Sequence, residues 1–230
     1  MTLPQPEIHS LLKDQFVVGW RNIEREPWCG LSHGYSSRQT AIGTTNGAGG
    51  RNVQLFVLAP DLTVLHVLAG FWHPDDLRAE LSLAQRLFAL HRDATRTREE
   101  KWRMARAFHD QAIQQVSAAT LARSDWQSFD RSHEIWRAQA EPRDTVRYVN
   151  GAPAVDAEGA VALKSLFVLQ HERAKTQLFL PYARFDVERF VDYGLEHYDN
   201  NRMFDRSAKN FSVRERLERE RQRKAKAASS

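Results

Sequence analysis

The stretch from Val53 to Arg92 constrains this chain most. Val53-Gln54-Leu55-Phe56-Val57-Leu58-Ala59 and Val64-Leu65-His66-Val67-Leu68-Ala69-Gly70-Phe71 are two β-rich runs, and Pro60-Asp61-Leu62-Thr63 separates them. Their length and the turn residues between them predict an antiparallel hairpin. His73-Pro74-Asp75-Asp76 then opens a helix. Proline suits the first helical position, and the two aspartates face the positive end of the helix dipole. Leu77, Leu81, Ala84 and Phe88 recur at helical spacing, which carries the helix to about Arg92. Strands and helices together in one chain predict a fold of mixed α/β class.

Before this unit, Glu7 to Asp14 reads as a short helix with Ile8, Leu11 and Leu12 on one side. Phe16-Val17-Val18-Gly19-Trp20-Arg21-Asn22-Ile23 reads as a strand, and its apolar start suits a buried central one. It leads into Pro27-Trp28-Cys29-Gly30-Leu31-Ser32. From Ser32 to Asn52 periodicity vanishes, and Gly34, Gly43, Gly47, Gly49 and Gly50 punctuate a polar loop. So long a loop inside a domain is usually functional or mobile.

A strand ending at Trp28-Cys29-Gly30, followed later by a hairpin and a helix, resembles the thioredoxin fold. The resemblance covers residues 6–92. It implies a central sheet with flanking helices and a reactive thiol at Cys29, with Trp28, Gly30 and Ser32 around it. The chain departs from that pattern in three places. Ser32 stands where the family has its resolving cysteine. Gly50-Arg51-Asn52-Val53 holds no proline where the family places its cis-proline. Glycine-rich sequence replaces the helix after the motif. With one cysteine in the chain, a disulfide reductase of the ordinary dithiol kind has no second thiol to release its mixed disulfide. The chemistry left to Cys29 is a mixed disulfide with a protein partner or a low-molecular-weight thiol, or a sulfenic acid reset by an outside thiol. A cysteine that only packs beneath Trp28 is equally compatible with the sequence.

Asn46, Gly47, Asn52 and Val53 flank the same end of the expected sheet and are candidate substrate- or partner-binding residues. The loop lacks the Lys-Ser/Thr ending of a phosphate loop, and no cofactor is expected. Cys29-x-x-x-His33 offers sulfur and imidazole to copper or zinc, with His66 or His73 as a third ligand. This resembles thioredoxin-like copper-delivery proteins, but only one of their two cysteines is present. His66 otherwise reads as the solvent-facing member of an alternating strand, and His73 as the cap before Pro74. The alternative to chemistry is a non-catalytic thioredoxin-fold scaffold that presents the loop and a helical extension to a protein.

That extension spans residues 93–206 and reads as mostly helical, broken between Pro142 and Pro153 with a turn at Asn150-Gly151. Residues 207–230 form a charged tail. Arg214 to Lys226 carries the whole net charge of +4, and the rest of the chain balances. The basicity therefore belongs to the tail, so nucleic-acid contact is expected there or nowhere. No apolar run approaches the ~18 residues of a membrane span. The first residues lack a basic n-region and an apolar core, so a cytoplasmic location is expected. The lone cysteine suits a reducing compartment.

Overall fold

A computed structural model describes residues 2–22, 54–70, 72–126 and 128–192. They form a mixed α/β arrangement, with seven α-helices and two two-stranded antiparallel sheets among the described residues. Among them, no helix is long and apolar enough to cross a membrane.

Helix α1 (Pro6–Gln15) starts on a proline, carries Glu7 in its first turn and Lys13 in its last, and buries Ile8 completely. The hairpin forms as its sequence demands. Strands β1 (Gln54–Leu58) and β2 (Val64–Ala69) pair antiparallel, from Gln54 opposite Ala69 to Leu58 opposite Val64. The register shifts between Val57 and Leu58 and leaves Leu65 as the extra residue. The turn closes through the Leu62 amide donating to the Ala59 carbonyl (2.9 Å), and Asp61 Oδ1 accepts from the Thr63 amide (3.0 Å).

Every residue of β2 is buried, because the strand is covered on both faces. Val67 and Ala69 pack with Phe185, Phe190 and Val191. Leu68 packs with Ile8, Trp72, Leu77, Leu81 and Phe167 on the other side. Helix α2 (Pro74–Arg92) begins and ends as expected. His73 Nδ1 accepts from the Asp75 amide (3.3 Å), and Leu77, Leu81, Ala84 and Leu87 are almost wholly buried.

Helix α3 (Arg98–Gln115) opens on a capping box. Glu100 accepts from the Thr97 amide (2.8 Å), and Thr97 Oγ1 accepts from the Glu100 amide (3.2 Å). Helix α4 (Ala118–Arg123) is capped by Ser117, and α5 (Ser128–Ala140) precedes the break at Pro142. Strands β3 (Tyr148–Val149) and β4 (Ala152–Pro153) flank Asn150 and Gly151. Both turn residues have positive φ, 52° and 80°, as a two-residue hairpin loop of the primed type requires. Helix α6 (Leu166–Ala174) follows its Ser165 cap and packs on β2 and α3. A 3-10 turn at Tyr182–Arg184 and the short α7 (Val187–Phe190) bring Phe185 and Phe190 under the hairpin. Residues on both sides of position 92 thus meet in the same hydrophobic clusters.

The strand expected at residues 16–23 is not formed over its described part. Residues 16–22 join no sheet, and Val17, Val18 and Trp20 are 104%, 67% and 92% exposed. An apolar run becomes a strand only where a partner edge takes its backbone hydrogen bonds, and among the described residues none pairs with it. Ile23 lies outside the described residues, as do Phe71 and the charged tail.

Candidate functional site

The expected redox and metal residues Trp28, Cys29, Gly30, Ser32 and His33 lie outside the described residues, as do the loop residues Asn46, Gly47, Asn52 and Val53. The two further histidines offered as metal ligands are described, and both are committed elsewhere. His73 caps α2 and stands 3.5 Å from Asp75. His66 does not face solvent. It is only 4% exposed, because β2 is covered on both faces rather than one.

His66 belongs to a cluster that no spacing motif announces. Its Nε2 lies 2.6 Å from Glu80 Oε2. The other carboxylate oxygen of Glu80 lies 3.3 Å from His171 Nε2. His171 Nδ1 in turn meets His109 Nδ1 at 2.9 Å. The four side chains come from β2, α2, α6 and α3, and none is more than 4% exposed. The ring centroids of the three imidazoles stand 5.2, 5.5 and 5.9 Å apart. Phe167, one turn before His171 on α6, closes the cluster with its ring 4.4 Å from that imidazole.

The electrostatics follow from this packing. Burial pushes the Glu80 pKa up, but the imidazoles of His171 and His66 outweigh it, and the carboxyl is held well below the usual carboxylate range. His109 has the opposite balance. Burial and the neighbouring His66 and His171 push it well below 6.5, and Glu80 only partly offsets them. His109 is therefore neutral near pH 7. Only one of the facing Nδ1 atoms can donate in their hydrogen bond, so one proton lies between the two rings. His66 Nδ1, His109 Nε2 and His171 Nε2 have no hydrogen-bond partner among the described residues, the last making only its 3.3 Å ion-pair approach to Glu80.

These groups form a chain rather than a shell around one point. His171 directs one ring nitrogen at Glu80 and the other at His109. Among the described residues, no three His, Cys, Asp or Glu side chains are placed to hold a metal ion together. What the chain can do is hold and pass protons within the core.

Glu80 also contributes to the wall of a cleft of about 520 Å³ between α2, α3 and α4. Ala79, Leu83, Phe108 and Phe167 give it an apolar lining. At its rim Asp76 accepts from Nε and Nη2 of Arg123 (2.8 and 2.6 Å) and from the hydroxyl of Thr120 (2.8 Å), which ties α4 to the first turn of α2. Arg86 lies over the Phe108 ring at 4.1 Å and donates to Gln111 (3.0 Å). The cleft thus joins solvent to the neighbourhood of a buried, ionised carboxylate.

The sequence did hold a signal for this cluster. Glu80 falls among Leu77, Leu81 and Ala84, His109 among Ala105 and Ala112, and His171 among Phe167 and Ala174. Each is a titratable residue on the apolar stripe of its helix, where a hydrocarbon is the norm. Comparison with family models, with curated proteins and with solved structures yields no match to this chain.

Proposed function

We propose that this is a thioredoxin-like protein that works through the single thiol of Cys29, as a monothiol partner in disulfide exchange. The observation that carries this reading is the β1–β2–α2 unit. It is an antiparallel hairpin followed by a helix packed on it, and that order is the support for reading it as the closing half of such a fold. The Cys29 thiolate would attack one sulfur of a disulfide, supplied by a partner protein or an oxidised low-molecular-weight thiol. The old S–S bond breaks, its second sulfur leaves as a thiolate, and a mixed disulfide remains on Cys29. A free thiol from outside then repeats the exchange and restores Cys29. A cytoplasmic setting would supply that reductant.

Iodoacetamide labelling of the full chain as a function of pH tests this reading. An activated thiol labels with a midpoint well below ~8.5, the value of a free cysteine. A profile like that of free cysteine, or no labelling of the folded protein, refutes the redox role. Cys29→Ser should abolish the signal in either case.

The scaffold alternative draws support from one observation. Val17, Val18 and Trp20 stand exposed in the extended segment that leads towards the motif. If these residues dock a protein partner, Cys29→Ser leaves that binding unchanged and Trp20→Ala weakens it.

A further inference from the structure

The Nδ1–Nδ1 contact between His109 and His171 exists as a hydrogen bond only while a single proton lies between the rings. At 2.9 Å there is no room for two hydrogens on the facing nitrogens. The pair is buried to 0–1% exposure, so water cannot solvate a second charge there. The contact also joins two elements that do not follow one another in the chain, α3 and α6, and α3 forms one wall of the cleft.

We propose that this contact is a proton-operated latch: with one proton between the rings it holds α3 against α6, and with two it releases α3 and opens the cleft beside Glu80. This is independent of any role for Cys29.

Every charge that faces His109 bears on its protonation. From β2 comes His66, and from α2 comes Glu80, whose oxygens already meet His66 and His171. From α6 and its C-cap come His171 and Lys175, the latter paired with Asp110 of α3 at 2.6 Å. Only Glu80 among these favours a cationic His109, and it is shared by two nearer imidazoles. The closed state therefore keeps His109 neutral, as burial also demands. Once α3 moves away, the ring regains an ordinary affinity for protons. The sign follows: the open state binds one more proton, so opening becomes easier as pH falls below 6.5. Glu80 adds its own acid sensitivity only below 4.5, where a freed carboxyl would take a proton.

Amide hydrogen exchange of α3 and of the cleft wall in the full chain, at pH 7.5 and 5.5, measures this opening after correction for the intrinsic exchange rate. One extra proton in the open state predicts an opening constant about tenfold larger at pH 5.5. His109→Phe keeps a ring and removes the titration, so its opening constant should be the same at both pH values. His9→Gln changes an exposed histidine and should keep the tenfold rise. A wild-type constant that does not change with pH overturns the latch.

If His109→Phe does not fold, carbon-13 NMR of histidine-labelled wild-type protein decides. The latch predicts an imidazole that stays neutral until α3 loses its protection. Buried imidazoles that all titrate near 6.5 while α3 stays protected would overturn it. So would a stoichiometric transition metal in protein purified without chelator, because the nitrogens would then hold a metal instead of a proton.

Discussion

Glu134 gives the sharpest test of how the second half of the chain is held together. Its side chain on α5 is fully buried. Glu134 Oε1 accepts from Arg143 Nε (2.7 Å) and from the Thr145 hydroxyl (2.7 Å), and its Oε2 lies 3.3 Å from Arg137. Glu134→Ala removes all three contacts at once. The Thr145 hydroxyl, which is also fully buried, then has no acceptor there, at a cost of about 1–3 kcal/mol. Breaking a buried ion pair costs about 3–5 kcal/mol when the partner is stranded. Here both arginines keep Asp192, at 3.2 Å from Arg143 and 2.9 Å from Arg137, so the loss falls at the low end.

Adding the low ends of the two losses, a destabilisation of about 4 kcal/mol is expected in total. With a urea m-value of about 2 kcal/mol/M, the unfolding midpoint should drop by about 2 M. Glu134→Gln keeps the shape and one acceptor oxygen and should lose about half as much. Thr145→Val should cost less in the Glu134→Ala background than in the wild type, because the hydroxyl it removes is already unpaired there. A midpoint shift below about 0.3 M for Glu134→Ala, at unchanged m, would refute the idea that this carboxylate organises residues 143–145 against α5.

Leu87→Ala empties a fully buried position between α2 and α3 and should cost about 2–5 kcal/mol by urea or thermal unfolding. Leu62 sits at φ 62° and is 60% exposed, so Leu62→Asn should stabilise the protein by about 0.5–1 kcal/mol in the same assay. Gly151→Ala places a side chain at φ 80° and should cost about 1 kcal/mol. Burial raises the pKa of Asp192, but Arg137 and Arg143 prevail and hold it below 3.8. Its contribution to stability is therefore present above pH 3.8 and lost as pH falls through the lower folded value. The stability gap between wild type and Asp192→Asn should narrow as pH is taken below 3.8.

Local signals made part of this fold legible. His73, Pro74 and the aspartates mark the start of α2, because a helix start needs only a cap, a fixed φ and charges that suit its dipole. Asn150-Gly151 marks the β3–β4 turn because two consecutive positive φ angles exclude most other residues. The β1–β2 hairpin joins neighbours in sequence, so its pairing too was readable from length and turn chemistry.

Tertiary packing decided the rest. Residues 16–22 are as apolar as a buried strand, yet a strand depends on a partner edge that lies elsewhere in the chain. His66 alternates like a surface residue, yet helices cover both faces of β2 and bury it. The cluster of His66, Glu80, His109 and His171 exists because four elements converge. Each residue alone is only an oddly placed polar side chain on an apolar stripe. Sequence determines which stripe each residue occupies. Only the packing of the stripes against each other determines that two imidazoles meet one buried carboxylate and that a third is linked to it through His171.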